Sequence, residues 1–331
     1  MNRPMKSVFA SDIERFLAHK HALGYEYSSG ESALRGFDAF CVTRNISQNI
    51  LIREIVEEWC SKRDAEAPKT HQHRMSAMRH FALFLENEGR QAYVIPYIST
   101  AAYSTENFTP YIFTKAELTT IFHAVDKRPD RLNTTVSMAV IMPVMLRVMY
   151  GCGLRVSEAC SLKKHNVDLK NGVLTILGAK GDKDRFVPLS ASLTERMRVY
   201  MGKIEYICPN MIYAFPNRTG GKLSKSAVYS RFRYALFEAG ISHGGRGAGP
   251  RLHDLRHTFA VHSLEKMADD GMDLYCALPV LSTYLGHDAV TSTEKYLRLT
   301  SEAHVDVLRQ VSEAYGEIAP TMERGQNDET N

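Results

Sequence analysis

The 331-residue sequence has no long hydrophobic run and no sign of a secretion signal. Its longest apolar stretch, residues 138–146, contains Pro143 and is far shorter than the roughly 20 residues that cross a bilayer as a helix. Charged residues near the N-terminus interrupt the chain before the apolar part of a signal peptide could form. These absences exclude the membrane and secreted classes and favour a cytoplasmic protein.

Patterns for disulfides, metals and nucleotides are also missing. None of the six cysteines form a CxxC pair, and scattered thiols in a chain of this length are typical of a reduced, intracellular protein. His71 and His73 have no cysteine or carboxylate nearby at ligand spacing, so we expect no metal site. No GxxxxGK[ST] motif occurs, which argues against a P-loop nucleotide site. We expect no cofactor.

The small net charge of +4 conceals an uneven distribution. Residues 1–105 carry 13 basic and 12 acidic side chains, residues 106–300 carry 26 and 18, and residues 301–331 carry 2 and 7. The central region is basic enough to attract a polyanion. From charge alone, a solvated basic surface and a nucleic-acid-binding surface are equally good interpretations.

Hydrophobic periodicity predicts four helices in the first hundred residues, at 12–23, 31–43, 51–62 and 70–88. Periodicity is then lost over a segment that contains Pro96 and Pro110. We therefore predict a helical domain at 1–97, a linker at 98–112, a second domain at 113–300 and a C-terminal segment at 301–331. The basic residues His71, Arg74 and Arg79 of the fourth helix are candidates for DNA contact, against the simpler interpretation of a solvated face.

The second domain mixes the two kinds of element. Residues 173–177 and 185–189 are predicted strands of a hairpin across GAKGDKD, and 211–215 is a weaker strand candidate. The TKAE and TSTE motifs at Thr114 and Thr291 predict capped helix starts. Further helices are predicted at 133–150, 190–204, 223–239, 253–269, 279–285 and 291–299. The sequence thus predicts a mainly α fold with a small antiparallel β-sheet (α+β).

Four motifs carry residues suited to phosphate chemistry. They are Arg155 with Glu158 in GLRVSEACSL, Lys180 in GAKGDKDRFVPL, His253 with Arg256 in LHDLRHTFA, and His287 with Tyr296 in YLGHDAVTSTEKYL. Arginine offers a planar fork of donors for phosphate, and histidine exchanges protons near neutral pH. Each motif alone is better explained by packing or solvation, and we interpret His257 and His262 as packing or surface residues.

In this order and spacing, the motifs resemble those of the tyrosine recombinase family, which includes phage integrases, Xer-type resolvases and transposon integrases. The resemblance covers roughly residues 112–300. It implies a tyrosine-recombinase catalytic domain there and a helical core-binding (SAM-like) DNA-binding domain at 1–97. The family's six catalytic positions fall on Arg155, Lys180, His253, Arg256, His287 and Tyr296.

The resemblance implies a site-specific recombinase that needs neither metal nor ATP. Tyr296 would attack a DNA phosphodiester to form a 3′-phosphotyrosine, and a second DNA end would reseal it. Arg155, Arg256 and His287 would bind the phosphate oxygens. His253 would be the general base, Lys180 the general acid, and Glu158 would orient Arg155 or His253.

The implied partners are double-stranded DNA with an inverted-repeat site, a tetramer of this chain on two duplexes, and a second recombinase or accessory protein. The reaction would integrate, excise or resolve DNA of a mobile element or chromosome at the bacterial nucleoid. A type IB topoisomerase and a catalytically silent DNA-binding relative are the alternatives.

A second set of residues is predicted to contact DNA from one helix. Its members are Lys222, Lys225, Tyr229, Arg231 and Arg233, with positions 222, 225 and 229 on one helical face. Beyond Tyr296, apolar residues recur at helical spacing from Val305 to Tyr315. That segment either packs on its own domain or docks onto a neighbouring protomer, and the family resemblance favours docking.

Overall fold

The computed structural model of the protein describes residues 4–97, 109–127, 136–177, 184–245, 249–287, 293, 294, 296, 297 and 299. The predictions for Lys180, for Thr291 and for the C-terminal segment 301–331 lie outside these residues. The chain divides into two compact units between Thr109 and Pro110. This division falls inside the segment 98–112.

The first unit contains four helices in its described part: α1 (Ala10–Ala22), α2 (Ser28–Thr43), α3 (Arg53–Cys60) and α4 (Pro68–Asn87). Each begins and ends within a few residues of the bounds predicted from periodicity. Its core is rich in aromatic rings. Phe16, Phe37 and Phe81 are fully buried, and Trp59 packs edge-on against Phe37.

Two of the three basic residues predicted to contact DNA in α4 are internal. His71 is buried with its Nε2 atom 2.6 Å from the carbonyl oxygen of Cys60. Arg74 is also buried, where it forms an ion pair with Glu66 and donates to the carbonyl of Ser61. A buried guanidinium needs such partners because charge is costly to desolvate. The DNA-contact prediction is therefore wrong for His71 and Arg74.

Arg79 lies on the same helix in a different setting. It is partly exposed, and its Nη1 atom donates to the carbonyl of Ile95 at 2.5 Å. This bond ties α4 to the chain that follows it. It uses one of the five N–H donors of the guanidinium.

The second unit is mainly helical and contains a small antiparallel sheet, which confirms the predicted fold class. Its helices are α5 (Lys115–Asp126), α6 (Met138–Gly151), α7 (Val156–Ser161), α8 (Ala191–Ile207), α9 (Lys225–Glu238), α10 (Asp254–Asp269) and α11 (Leu274–Leu285). Its strands are β1 (Val167–Asp168), β2 (Val173–Ile176) and β3 (Arg185–Pro188). The TKAE motif caps α5 as predicted, with a reciprocal bond pair between Thr114 and Glu117.

The sheet has the order β1-β2-β3, and both pairings are antiparallel. Leu174 of β2 lies opposite Val187 of β3, and both are fully buried. Because side chains alternate along a strand, Arg185 shares the inward face of β3 with Val187, whereas Phe186 is exposed. The strand therefore directs one arginine toward the interior.

The structure corrects two predicted elements. Residues 211–215 do not form a strand. Within them, Tyr213 forms an isolated antiparallel bridge with Lys163. Their apolar character comes from burial of Ala214 and Phe215 in the core. Helix α11 begins at Leu274 rather than at 279, because Asp273 caps its first turn through the backbone N–H groups of Tyr275 and Cys276.

Within the described ranges, no helix is long and apolar enough to cross a membrane.

Candidate active site

The turn after α6 and the end of α11 hold the guanidinium of Arg256. Its Nη1 atom donates to the carbonyl of Gly153 and its Nη2 atom to the carbonyl of Leu285, both at 2.7 Å. Arg256 is almost fully buried. Burial, with the nearby charge of Arg155, lowers the pKa of Arg256 to about 10, so it stays cationic at neutral pH.

Gly153 can serve this purpose only as glycine. Its φ of +58° lies in the left-handed region, which other residues adopt at a cost. A Cβ at this position would come within 2.6 Å of Phe259 and 2.8 Å of Leu285. The absent side chain lets the turn approach α10 and α11 and present its carbonyl to Arg256.

Arg155 is anchored beside Arg256. Its Nη2 atom donates to the carbonyl of Gly286 at 3.3 Å, and its Nη1 atom donates to Glu158 Oε1 at 2.8 Å. The two arginines thus bind the consecutive carbonyls of residues 285 and 286. The C-terminal end of a helix carries unsatisfied carbonyls and partial negative charge, so cations are favoured there.

Glu158 connects Arg155 to a third arginine. The Nη1 and Nη2 atoms of Arg185 donate to Glu158 Oε1 and Oε2 at 3.0 and 2.9 Å, and its Nε atom donates to the carbonyl of Tyr284 at 3.0 Å. Burial would raise the pKa of Glu158, but the hydrogen bonds and charge of Arg185, together with Arg155, hold it below its usual range. Glu158 is therefore an ionised carboxylate between two guanidinium groups.

Tyr296 lies almost fully buried next to these cations. Its hydroxyl is 2.8 Å from Nδ1 of His257, a residue of α10. The ring of His287 stacks on the Tyr296 ring with centroids 6.3 Å apart, and His287 Nδ1 is bonded to Thr293 Oγ1. Burial raises the pKa of Tyr296 to about 12, although the charges of Arg256 and Arg155 act to lower it.

His253 is exposed at the start of α10 and contacts His257, with ring centroids 4.7 Å apart and nearly perpendicular planes. It also lines an open cleft of about 430 Å³. The cleft is further lined by Lys225, Ser226, Tyr229 and Arg251. Basic side chains and the first turn of α9 therefore border the cleft together with His253.

A model of the phage integrase family matches residues 112–303, more than half of the chain. The chain belongs to this family. Its members are the tyrosine recombinases, as the sequence motifs predicted, and membership supports a site-specific recombinase activity.

Individual recombinases match over most of their length. The chain is 26% identical over 308 residues to a protein of Sinorhizobium fredii named integrase/recombinase y4rB, covering 92% of this chain and 97% of that one. It is 28% identical over 299 residues to tyrosine recombinase XerC of Xanthomonas campestris, covering 87% and 84%. The solved structure of XerH recombinase bound to palindromic difH substrate matches with a TM-score of 0.62 at 21% identity, covering 92% and 84%. That last likeness concerns the fold.

In this recombinase, five of the six predicted catalytic residues are described, and Lys180 lies outside the described residues. Arg155 and Arg256 lie close enough to Tyr296 for their charges to act on its pKa, and His287 lies against the tyrosine ring. His253 joins them through His257. Among the described residues, no group of three or more His, Cys, Asp or Glu side chains is placed to hold a metal ion.

The residues predicted to contact DNA near α9 are all exposed. Lys222 precedes the helix, because the side chain of Ser224 caps α9 at the N–H of Ala227. The predicted shared helical face for positions 222, 225 and 229 is therefore wrong for Lys222. Arg231 borders a small hollow against α5 and α6, away from the cleft that Lys225 and Tyr229 line.

Arg233 follows Tyr229 by four residues, one turn of α9, so the two lie on the same helical face. Tyr229 itself bonds to His243 Nε2 at 3.2 Å.

Two residues of the site were missed by the sequence interpretation. Arg185 sits on the inward phase of a predicted strand, where a charged side chain requires a partner. His257 follows His253 by four residues and therefore shares its helical face. The strand position of Arg185 and the four-residue spacing of His257 can both be seen in the sequence. They place the two side chains on a face, but they do not identify the residues that these side chains bind. His262, grouped with His257 as a packing residue, does bind elsewhere, to the hydroxyl of Tyr150 at 2.9 Å.

Proposed function

We propose that this protein is a site-specific DNA recombinase that cleaves and rejoins strands through a 3′-phosphotyrosine on Tyr296. One observation carries the proposal: Arg155 and Arg256 are fixed on the consecutive carbonyls of Gly286 and Leu285, next to the buried hydroxyl of Tyr296, whose pKa their charges act to lower. A tyrosine hydroxyl beside two anchored guanidinium groups suits nucleophilic attack on a phosphodiester.

The arginines would stabilise the transition state. Attack on the phosphodiester concentrates negative charge on the non-bridging oxygens, and fixed guanidinium donors act strongly on charge that develops in a water-poor site. The carbonyl bonds use two of the five N–H donors of Arg256. The remaining donors of the guanidinium would serve the phosphate.

Proton transfer requires further groups. His253 borders the cleft and His287 stacks on the nucleophile, so both are suited to reach a bound phosphate. Lys180 remains the proposed general acid for the leaving 5′ oxygen. Glu158 would orient Arg155, to which it binds directly.

We propose that the reaction needs neither metal ion nor ATP. The phosphotyrosine preserves the energy of the phosphodiester, because covalent catalysis divides one exchange into two steps. The guanidinium groups would supply the positive charge that metal ions supply in other phosphoryl transfers. Strand cleavage that persists in EDTA would test this.

The proposed substrate is double-stranded DNA with an inverted-repeat site. Support comes from the solved XerH complex, whose DNA is a palindromic difH substrate, and from the basic residues of the cleft. Exchange of strands between two duplexes would require four copies of the chain, and we include this tetramer, acting at the bacterial nucleoid, in the proposal. Integration, excision and dimer resolution remain equal candidates for its role.

The test is to trap the covalent intermediate. A binding site is first located by footprinting on DNA that flanks the protein's own gene. A duplex of that site, nicked near the cleavage point so that the short strand diffuses away, is then incubated with the full chain. We expect a covalent protein–DNA adduct with the wild-type protein and none with Tyr296→Phe.

The outcomes separate the alternatives. An adduct with Tyr296→Phe would overturn the assignment of the nucleophile. Relaxation of supercoiled DNA without exchange between two sites would indicate a topoisomerase of type IB. Binding without an adduct would indicate a silent DNA-binding relative.

A further inference from the structure

Helix α10 places a second histidine in direct contact with the proposed nucleophile. His257 is nearly fully buried, and its Nδ1 atom lies 2.8 Å from the hydroxyl oxygen of Tyr296. His253, the residue first expected to act as the base, is exposed and lines the cleft. The two histidines therefore occupy different places: one against the tyrosine hydroxyl, the other facing the cleft.

The buried tyrosine needs a proton acceptor. A phenol has an ordinary pKa of about 10, and burial raises that of Tyr296 to about 12, so the reactive phenolate is scarce at neutral pH. A general base must lie within hydrogen-bond distance of the proton that it removes. His257 meets that requirement, and a neutral imidazole with its hydrogen on Nε2 accepts at Nδ1.

We propose that His257 is a catalytic residue of strand cleavage and takes the proton of the Tyr296 hydroxyl. This rests on the proposed function. As the Oη–P bond forms, the hydroxyl proton moves to Nδ1 of His257. The P–O5′ bond breaks, and its electron pair leaves with O5′, which takes a proton from the general acid. In the rejoining step the 5′-hydroxyl of the second DNA end attacks phosphorus and gives its proton back to the deprotonated general acid. The Oη–P bond breaks, and the imidazolium returns its proton to Tyr296.

The surrounding charges favour this direction of transfer. His253, just before α10, contacts His257, and Arg256 of α10 and Arg155 act on the pKa of Tyr296. His287, just after α11, stacks on the Tyr296 ring, and Glu158 lies 4.0 Å from Arg256. The arginines stabilise a phenolate on Tyr296, since their charges act to lower its pKa. The cations therefore favour loss of the hydroxyl proton of Tyr296 toward the imidazole beside it.

The chain contains a matched control for this pair. His262, further along α10, bonds through Nδ1 to the hydroxyl of Tyr150 at 2.9 Å, outside the site. Removing that imidazole breaks a histidine–tyrosine bond of the same kind on the same helix. It leaves Tyr296 untouched.

The experiment compares His257→Phe, His257→Gln and His262→Phe on the nicked duplex, at saturating protein. Phenylalanine fills the space, and glutamine keeps a hydrogen-bonding group that cannot take up the proton. For both His257 variants we expect adduct formation to slow by about 10²- to 10⁴-fold, with unchanged DNA affinity and a steeper rise of rate with pH. We expect His262→Phe to cleave at the wild-type rate.

A second measurement needs no DNA. In protein labelled with ¹³Cζ-tyrosine, with Tyr296 assigned from Tyr296→Phe, the Tyr296 resonance should shift in both His257 variants and not in His262→Phe. If His257→Gln cleaves as fast as wild type, or if His257→Phe slows cleavage no more than His262→Phe, the assignment is overturned. If the wild type forms no adduct, the proposed function fails, and an unmoved Tyr296 resonance would then overturn the contact separately.

Discussion

Arg185 and Glu158 form a buried two-point ion pair, with Nη1 on Oε1 at 3.0 Å and Nη2 on Oε2 at 2.9 Å. The same carboxylate also binds Arg155, through Oε1 at 2.8 Å. If Arg155 were the only partner of Glu158, the carboxylate would neutralise the charge of Arg155 more fully. Because Arg185 shares that charge, Arg155 retains positive charge for an incoming phosphate.

The first prediction concerns Arg185→Met. The substitution leaves a buried carboxylate with one cationic partner fewer, and breaking such a pair typically costs about 3–5 kcal/mol. We expect the free energy of unfolding to fall by that order, and adduct formation by folded protein to slow because Arg155 is more fully neutralised. Urea denaturation and the nicked-duplex assay measure the two effects.

The control for Arg185 is Arg147→Met. Arg147 also makes a two-point pair, with Asp126, away from the site. We expect this variant to lose less stability, since its partner is more exposed, and to cleave normally. If Arg185→Met were less stable but cleaved at the wild-type rate, Arg185 would have a structural role alone.

The second prediction links Glu158 to pH. Its pKa is lowered in the folded protein, so its contribution to stability is fully present above the unfolded pKa of about 4.5 and is lost as pH falls through the folded value. The stability difference between wild type and Glu158→Gln should therefore be constant near neutral pH and shrink below about pH 4.5. Denaturation curves at a series of pH values test this, and a difference that does not change with pH would contradict it.

The third prediction compares two glycines that both have positive φ. At Gly240 a Cβ would meet open space, so Gly240→Ala should cost only the strain of the left-handed backbone, about 1–2 kcal/mol. At Gly153 a Cβ would clash with Phe259 and Leu285, which adds about 1–3 kcal/mol of overpacking. Gly153→Ala should also slow adduct formation, because it displaces the carbonyl that holds Arg256. Equal losses in the free energy of unfolding for the two variants would contradict this interpretation of the turn at Gly153.

The fourth prediction concerns Lys225, which lines the cleft at the first turn of α9. If it contacts a DNA phosphate, Lys225→Gln should weaken binding to all sequences and lower the slope of log affinity against log salt by about 1. Lys266→Gln is the control, since Lys266 is exposed and pairs with Asp270 on α10. Fluorescence anisotropy across a salt series measures the slope, and the same slope for both variants would remove Lys225 from the interface.

The parts of the fold that sequence reasoning predicted are those set by local patterns. The four helices of the first unit follow from 3.6-residue periodicity, and the cap of α5 follows from Thr114 and Glu117 three positions apart. The β2–β3 pair follows from two short β-rich runs on either side of the sequence GAKGDKD. Nothing distant in the chain was needed for these.

The parts it could not predict depend on partners far along the chain. His257 and Tyr296 are 39 residues apart, and only the packing of α10 against its neighbours decides that a histidine meets the hydroxyl there instead of solvent. Arg74 has the residue type expected for DNA contact, but Glu66 pairs with it inside the first unit. Periodicity identifies the buried face of a helix, and it does not say which polar groups are satisfied within it.

Arg155 and Arg256 bind the carbonyls of Gly286 and Leu285 at the end of α11. The same two side chains therefore contribute to both the stability of the fold and the proposed catalysis. Active sites are often strained, so substitutions of active-site residues often increase the stability of a protein and lower its activity. Here the charged groups proposed to act on DNA also fasten the turn after α6 to α11. Engineering for higher stability should therefore keep these arginines, since an apolar replacement would lower both the stability of the protein and its cleavage activity.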